Sequence, residues 1–232
     1  MYEEKIIPPK KAMPQAQDGT LRKFALRVPE VIYQCSGIMV FGKRIKSLVF
    51  STDLSIIKNV NADAIIAVYP FTPQPIITQA LLLAADIPVF AGVGGRTKGQ
   101  RVVNLAMFAE MQGATGVVLN APTANTVVQH VAETIDIPVV VTVARADTDF
   151  DARLQSGTNI FNVSAAAETP AIVRSIRERY PDVPIIATGG PTDESILETI
   201  QAGANAITWT PPTNGEIFRD IMAAYRDNKP HP

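Results

Sequence analysis

Gly189 and Gly190 close the apolar run PIIATGG and stand just before Thr192, a residue type that caps helix starts. Glycines there let a backbone approach a ligand closely, and the free N–H groups of a helix start attract anions. With Thr188 ahead of the pair and Thr210 closing the next apolar run, the residues suit a phosphate cup; the plainer reading is a tight turn with close helix packing. A second candidate is GVGGRTKGQR, where Gly94, Gly95, Arg96, Thr97, Lys98 and Arg101 form a glycine-rich cationic loop. Such a loop either closes over an anion or only solubilises its surroundings. It lacks the Gly-Lys-Ser/Thr ending of a Walker A sequence. Arg145, two residues past VVVTV, offers a bidentate fork for a carboxylate or phosphate, and Asn120 and Asn162 add neutral hydrogen-bonding groups. The candidates for proton transfer are Asp53, Tyr69 and Asp147, the two aspartates being equally suited to capping helices. No metal site is expected: His130 falls in a helical stretch, His231 in the C-terminal tail, and no carboxylate cluster accompanies either. The single cysteine, Cys35, can neither form an internal disulfide nor ligate an iron–sulfur cluster alone.

These residues need a scaffold that gathers the ends of many apolar runs. A chain of 232 residues, 47% apolar and 19% charged, matches one large core and the length of one α/β barrel, hence a single soluble domain. A net charge of −1 leaves no basic field for polyanions, so nucleic acid is not expected as a partner. No apolar run approaches the roughly 18 residues of a membrane span. The stretch MYEEKIIPPKK carries charges where a signal peptide needs apolar residues, so a cytoplasmic protein without membrane contact is expected. Oligomeric state is left open, a homo-oligomer included.

Two kinds of strand start alternate along the chain. Asp-Ile-Pro or Asp-Val-Pro precedes VFAGVG, VVVTV and IIATGG, and proline is tolerated at a strand's first residue. Small or glycine-containing turns, Gln112–Ala114, Gln155–Gly157 and Gln201–Gly203, precede GVVLN, NIFNVS and AITWT, with Asn61–Asp63 a variant lacking glycine. The predicted strands are 47–50, 64–70, 88–94, 116–120, 138–143, 159–164, 184–190 and 206–210. Each is short and apolar on both faces, as parallel strands covered by helices are. The intervening segments have helical periodicity, clearest in Phe218, Ile221, Met222 and Tyr225. Eight such units predict a single α/β domain of the (β/α)8 TIM barrel type over 46–228, with an open doubly wound sheet as the rival. Residues 1–45 then form an N-terminal extension, an arm with a short helix over TLRKFALRV ending near Pro29. IYQCSGIMVFG is either an extra strand or a replacement for SLVF as the first barrel strand.

ATGG followed by a helix and then AGANAIT resembles the last quarter of the phosphate-binding barrels. These include N-acetylmannosamine-6-phosphate epimerase, thiazole synthase, IMP dehydrogenase and the glycerol-uptake operon antiterminator regulators. The resemblance is strongest over 184–210 and implies a phosphate held at Thr188, Gly189, Gly190 and Thr210. The chain departs from the pattern at Thr210-Pro211-Pro212-Thr213-Asn214, where two prolines remove N–H donors from the cup. No lysine lies in the predicted strands, so the Schiff-base chemistry of thiazole synthase lacks its nucleophile. Three activities follow: an isomerase, epimerase or lyase for a small phosphorylated metabolite, needing no cofactor; an oxidoreductase in which the cup holds the phosphate of FMN; or a non-enzymatic sensor of a phosphorylated ligand. Cys35 precedes the barrel, so the loop cysteine of IMP dehydrogenase has no counterpart.

Overall fold

A computed structural model describes residues 26–69 and 71–230. From the 3₁₀ turn Glu30–Gln34 the chain enters a hairpin of β1 (Ile38–Val40) and β2 (Lys43–Ile45). There follow β3 (Ser47–Phe50), α1 (Leu54–Lys58), β4 (Ala64–Ala67), α2 (Pro75–Ala84), β5 (Val89–Gly92) and α3 (Gln100–Met111). Next come β6 (Gly116–Leu119), α4 (Asn125–Thr134), β7 (Val139–Val143), α5 (Phe150–Gln155), β8 (Ile160–Val163) and α6 (Thr169–Arg179). The series ends with β9 (Ile185–Thr188), α7 (Asp193–Gln201), β10 (Ala206–Trp209) and α8 (Asn214–Arg226). Strands β3 to β10 pair in parallel in sequence order, and β10 pairs back with β3 to close a (β/α)8 barrel.

The alternating strand starts have a structural cause. At Pro88, Pro138 and Pro184 the missing N–H breaks no bond, while each carbonyl accepts from the neighbouring strand: Ile65 N at 2.8 Å, Val117 N at 3.0 Å and Phe161 N at 3.1 Å. Three of the four other starts end in a side-chain acceptor. Asp63 Oδ2 accepts from the N–H groups of Lys46 and Ser47, Asn159 Oδ1 from Val139, and Asn205 Oδ1 from Ile185. Each satisfies a backbone donor at the start of an adjoining strand, which burial would otherwise leave at a cost.

Leu48, Ile66, Phe90, Val118, Val140, Ile160, Ile186 and Ala206 fill the barrel interior together with Ile38, Val40 and Ile45 of the hairpin. The hairpin borders Pro88, Pro138 and Pro184, so it plugs the N-terminal end, and SLVF remains the first barrel strand. Before it, Leu26 bridges to Val60, donating to Asn59 O and accepting from Asn61 N. The helix expected over 20–28 is therefore corrected at its end: Leu26 to Pro29 is extended, because its backbone pairs with the turn after α1. The start of that expected helix, Pro70 and His231 lie outside the described residues. Among the described residues no helix is long and apolar enough to cross a membrane.

Helix α8 departs from the amphipathic expectation. Ile217 packs on the core, but Phe218, Met222 and Tyr225 are 63%, 43% and 49% exposed.

Candidate functional site

Side chains two positions beyond the interior residues Val140, Ile160, Ile186 and Ala206 share their inward face, because strand periodicity is two. Thr142, Asn162, Thr188 and Thr208 thus form a polar, uncharged floor at the C-terminal end of the barrel. Asn162 donates through Nδ2 to Thr142 Oγ1 at 3.3 Å, and Thr188 Oγ1 donates to Ser164 Oγ at 3.2 Å. Asn162 Oδ1 and Thr208 Oγ1 are buried without a partner, in residues only 8% and 6% exposed. Sequence reasoning places Asn162, Thr188 and Thr208 alike at the strand ends but takes only the first two as site residues, although period two sets Thr208 beside them.

On one side of this floor, a cavity of about 530 Å³ is lined by Phe50, Asp53, Tyr69, Thr210 and Asn214, among others. The structure thus brings together Asp53, Tyr69 and Thr210, while Asp147 lies elsewhere. Asp53 caps α1: Oδ1 accepts from Ser55 N at 2.8 Å and Ser55 Oγ at 2.7 Å, and Oδ2 accepts from Asn214 Nδ2. The Ser55 hydroxyl, the helix N–H groups and Asn214 hold its carboxyl below the usual carboxylate range. Asp53 is therefore an ionised cap and a weak base. Tyr69 is nearly buried, its hydroxyl 3.3 Å from Thr78 Oγ1, and burial raises its pKa, so it stays protonated.

The glycine pair has reasons within the fold. A Cβ on Gly189 would stand 2.7 Å from Ile196 Cγ1 and 2.8 Å from Ile207 Cγ2, so only glycine lets α7 settle on β10. Gly190 has a φ of +84°, where a side chain is strained. Thr192 and Ser195 form a capping box, and Asp193 and Glu194 place two carboxylates in the first turn of α7. Thr213 and Glu216 cap α8 in the same way. Both helix starts beside the expected cup thus present capped donors and negative charge.

The β5 and β6 loops differ. Helices α3 and α4 start at Gly99 and Ala124, with no side-chain cap and no acidic residue in the first turn. Between these starts lies a cavity of about 400 Å³ lined by Gly95, Thr97, Lys98, Asn120 and Thr123, among others. Thr97 Oγ1 is buried without a partner. Asn120 donates to Gly95 O at 3.2 Å and accepts from Thr123 Oγ1 at 3.0 Å, tying the two loops together. Gly94 is glycine because a Cβ would collide with the Asn120 amide. Arg153 of α5 holds this wall from behind, donating to Ala121 O at 2.6 Å, Thr123 O at 2.5 Å and Asn125 Oδ1 at 2.8 Å. Nothing in FDARLQ distinguishes Arg153 from a surface arginine, so it escaped sequence reasoning. Arg96, Lys98 and Arg101 border a further cavity of about 750 Å³ against α2 and α3.

Arg145 and Asp147 engage each other: Nε donates to Oδ1 at 2.9 Å and a terminal nitrogen to Oδ2 at 2.7 Å, with both side chains largely exposed. The guanidinium fork is thereby occupied, and it holds the Asp147 carboxyl low. His130 is exposed on α4.

No protein-family model matches this sequence, and no curated protein matches it. Solved structures match its fold. One is a putative phosphonomutase from Burkholderia cenocepacia J2315, 14% identical, with a TM-score of 0.60 over 78% of this chain and 93% of that one. A phosphonopyruvate hydrolase in complex with oxalate and magnesium is 13% identical, with a TM-score of 0.58 over 80% of this chain and 84% of that one. An oxaloacetate acetylhydrolase in complex with the product oxalate is 10% identical, with a TM-score of 0.58 over 80% of this chain and 83% of that one. At these identities the likeness is one of fold. The phosphate-binding families resembled by 184–210 are not among these three. Among the described residues no group of three or more His, Cys, Asp or Glu side chains is placed to hold a metal ion.

Proposed function

We propose that this chain is a lyase- or isomerase-type barrel enzyme acting by proton transfer on a small anionic metabolite, phosphorylated or carboxylated. The observation that supports a ligand at the barrel mouth is the pair of buried oxygens without partners, Asn162 Oδ1 and Thr208 Oγ1. Such groups are costly unless something hydrogen-bonds them, and both face the catalytic end of a (β/α)8 fold. A ligand hydroxyl or protonated group would donate to Asn162 Oδ1. The anionic end would lie between the starts of α3 and α4, where uncapped N–H groups, Lys98 and the hydroxyl of Thr97 converge. Asp53, ionised, would accept a proton, and Tyr69, protonated, would donate one. The reaction class draws on the fold neighbours, which are a phosphonomutase and two hydrolases of oxo-acids by name, two of them holding oxalate.

A second reading, a non-enzymatic sensor of the same ligand, is favoured by the commitment of Asp53 to a helix cap and of Asp147 to Arg145. The first experiment is a thermal-shift screen of the purified protein against inorganic phosphate, sugar phosphates, phosphoenolpyruvate and oxalate. A rise in Tm is expected with at least one of them, by mass action. No shift at millimolar concentrations removes the shared premise. Proton exchange or turnover of the bound compound, followed by NMR, separates enzyme from sensor. A yellow preparation would put the FMN-dependent alternative first. In Thr208→Val, the loss of an unpaired hydroxyl should leave stability unchanged or raise it by about 1 kcal/mol, while weakening the identified ligand roughly tenfold. Unchanged affinity would remove Thr208 from the site.

A further inference from the structure

Two exposed apolar surfaces lie on the same flank of the barrel. On α8, Phe218 and Met222 are 63% and 43% exposed one helical turn apart, with Ile221 half-buried beside them. On α2, Ile76, Ile77 and Leu83 are 66%, 37% and 81% exposed, with Ala80 exposed between them, and the helix carries no charge. These four recur at i, i+1, i+4 and i+7 and form one outward stripe. Helix α1, five residues long, links the two: Asp53 and Ser55 at its start bond Asn214 at the start of α8, its body lies against α2, and its Leu54 is 42% exposed.

The usual place of the eighth helix, packed on β10 and β3 between α7 and α1, is already filled. Val28, Ile32 and Cys35 are buried there against Ile57, Ile196 and Ile207, and the 3₁₀ turn Glu30–Gln34 lies along α7. The outer face of α8 therefore cannot be buried by a closer fit to its own barrel.

We propose that the chain associates with a second copy of itself, the exposed face of α8 from each copy packing on the α2 stripe of the other. A two-fold arrangement uses both surfaces twice and leaves neither in water, which requires them on one flank, as they are. Helix α8 has 13 residues and so is ~20 Å long, enough to lie along the whole of α2. Six apolar side chains per contact, doubled by symmetry, cover on the order of 1,000 Å², the lower bound for a specific interface. Residues 1–25 suit the role less well, because three prolines and eight charged residues leave them no helix-length apolar face.

Sedimentation velocity on the full chain at micromolar concentration tests this. A dimer is expected, and the double variant Phe218→Glu, Met222→Glu should raise its dissociation constant roughly a hundredfold, since charge is placed in an apolar contact. Circular dichroism of the variant checks its fold. Should the variant not fold, cross-linking decides. A Phe218→Cys chain mixed with a differently tagged Leu83→Cys chain, oxidised with copper-phenanthroline, should give the mixed disulfide well above either chain alone, because Cys35 is buried. A monomer at 100 µM, about a hundred times a ~1 µM constant, overturns the proposal. So does a dimer indifferent to the double variant, an absent mixed disulfide, a monomer that binds neutral lipid vesicles, or a dimer that forms only when residues 1–24 are deleted.

Discussion

Asp53 shows how one side chain can look catalytic in sequence and be occupied in structure. Its carboxylate accepts from Ser55, Ile56 and Asn214, joining the starts of α1 and α8. Those bonds favour the ionised form, so its folded pKa lies below the unfolded value. The stability they contribute is complete above the unfolded pKa of about 3.9 and is lost as pH falls through the folded value. Asp53→Ala should destabilise the protein by about 1 kcal/mol at neutral pH, the usual effect of losing a helix cap. The gap in Tm between wild type and variant should close below about pH 4. A gap that persists to pH 2 would show that the bonds do not depend on the charge. Asn162 and Thr208 present the opposite case, since their buried oxygens have no occupation within the fold.

The helix starts around the mouth sort into two kinds. Starts of α7 and α8 combine capping boxes with Asp193, Glu194 and Glu216; those of α3 and α4 have neither cap nor acid. The proposed anion therefore fits the β5 and β6 loops better than the place beside Gly189 and Gly190. Gly189→Ala should destabilise by about 1–3 kcal/mol through overlap with Ile196 and Ile207, measured as denaturant midpoint, while leaving affinity for the identified anion intact. Lys98→Ala should do the reverse, weakening the anion roughly tenfold with little change in stability, because the side chain is exposed. If Gly189→Ala loses binding in the folded protein and Lys98→Ala keeps it, the anion belongs to the glycine pair.

At the scale of the molecule, the hairpin β1–β2 completes the core rather than decorating it. Ile45, 1% exposed, reaches the interior cluster with Leu48 and Ile66. Ile45→Ala should therefore destabilise by about 2–5 kcal/mol, and at ~2–4 °C per kcal/mol for a chain of this size lower Tm by at least about 4 °C. A change within 1 °C would mean the plug is dispensable, since ~1 °C is a small fraction of a kcal/mol on that scale.

The eight strands and their order were legible because local physics decides them. Short runs apolar on both faces and bounded by turns fit parallel strands covered by helices, and Pro88, Pro138 and Pro184 sit where a strand can lack a donor. The glycine pair was legible as a turn before α7, and Asp53 as a cap. Contacts between distant residues decided the rest. Gly189 is glycine because of Ile196 and Ile207, Arg153 matters through the carbonyls of Ala121 and Thr123, and the α8 face is exposed because residues 26–35 fill its place. A helical period records that one side of a helix is apolar, but which surface covers that side depends on everything else packed on the barrel.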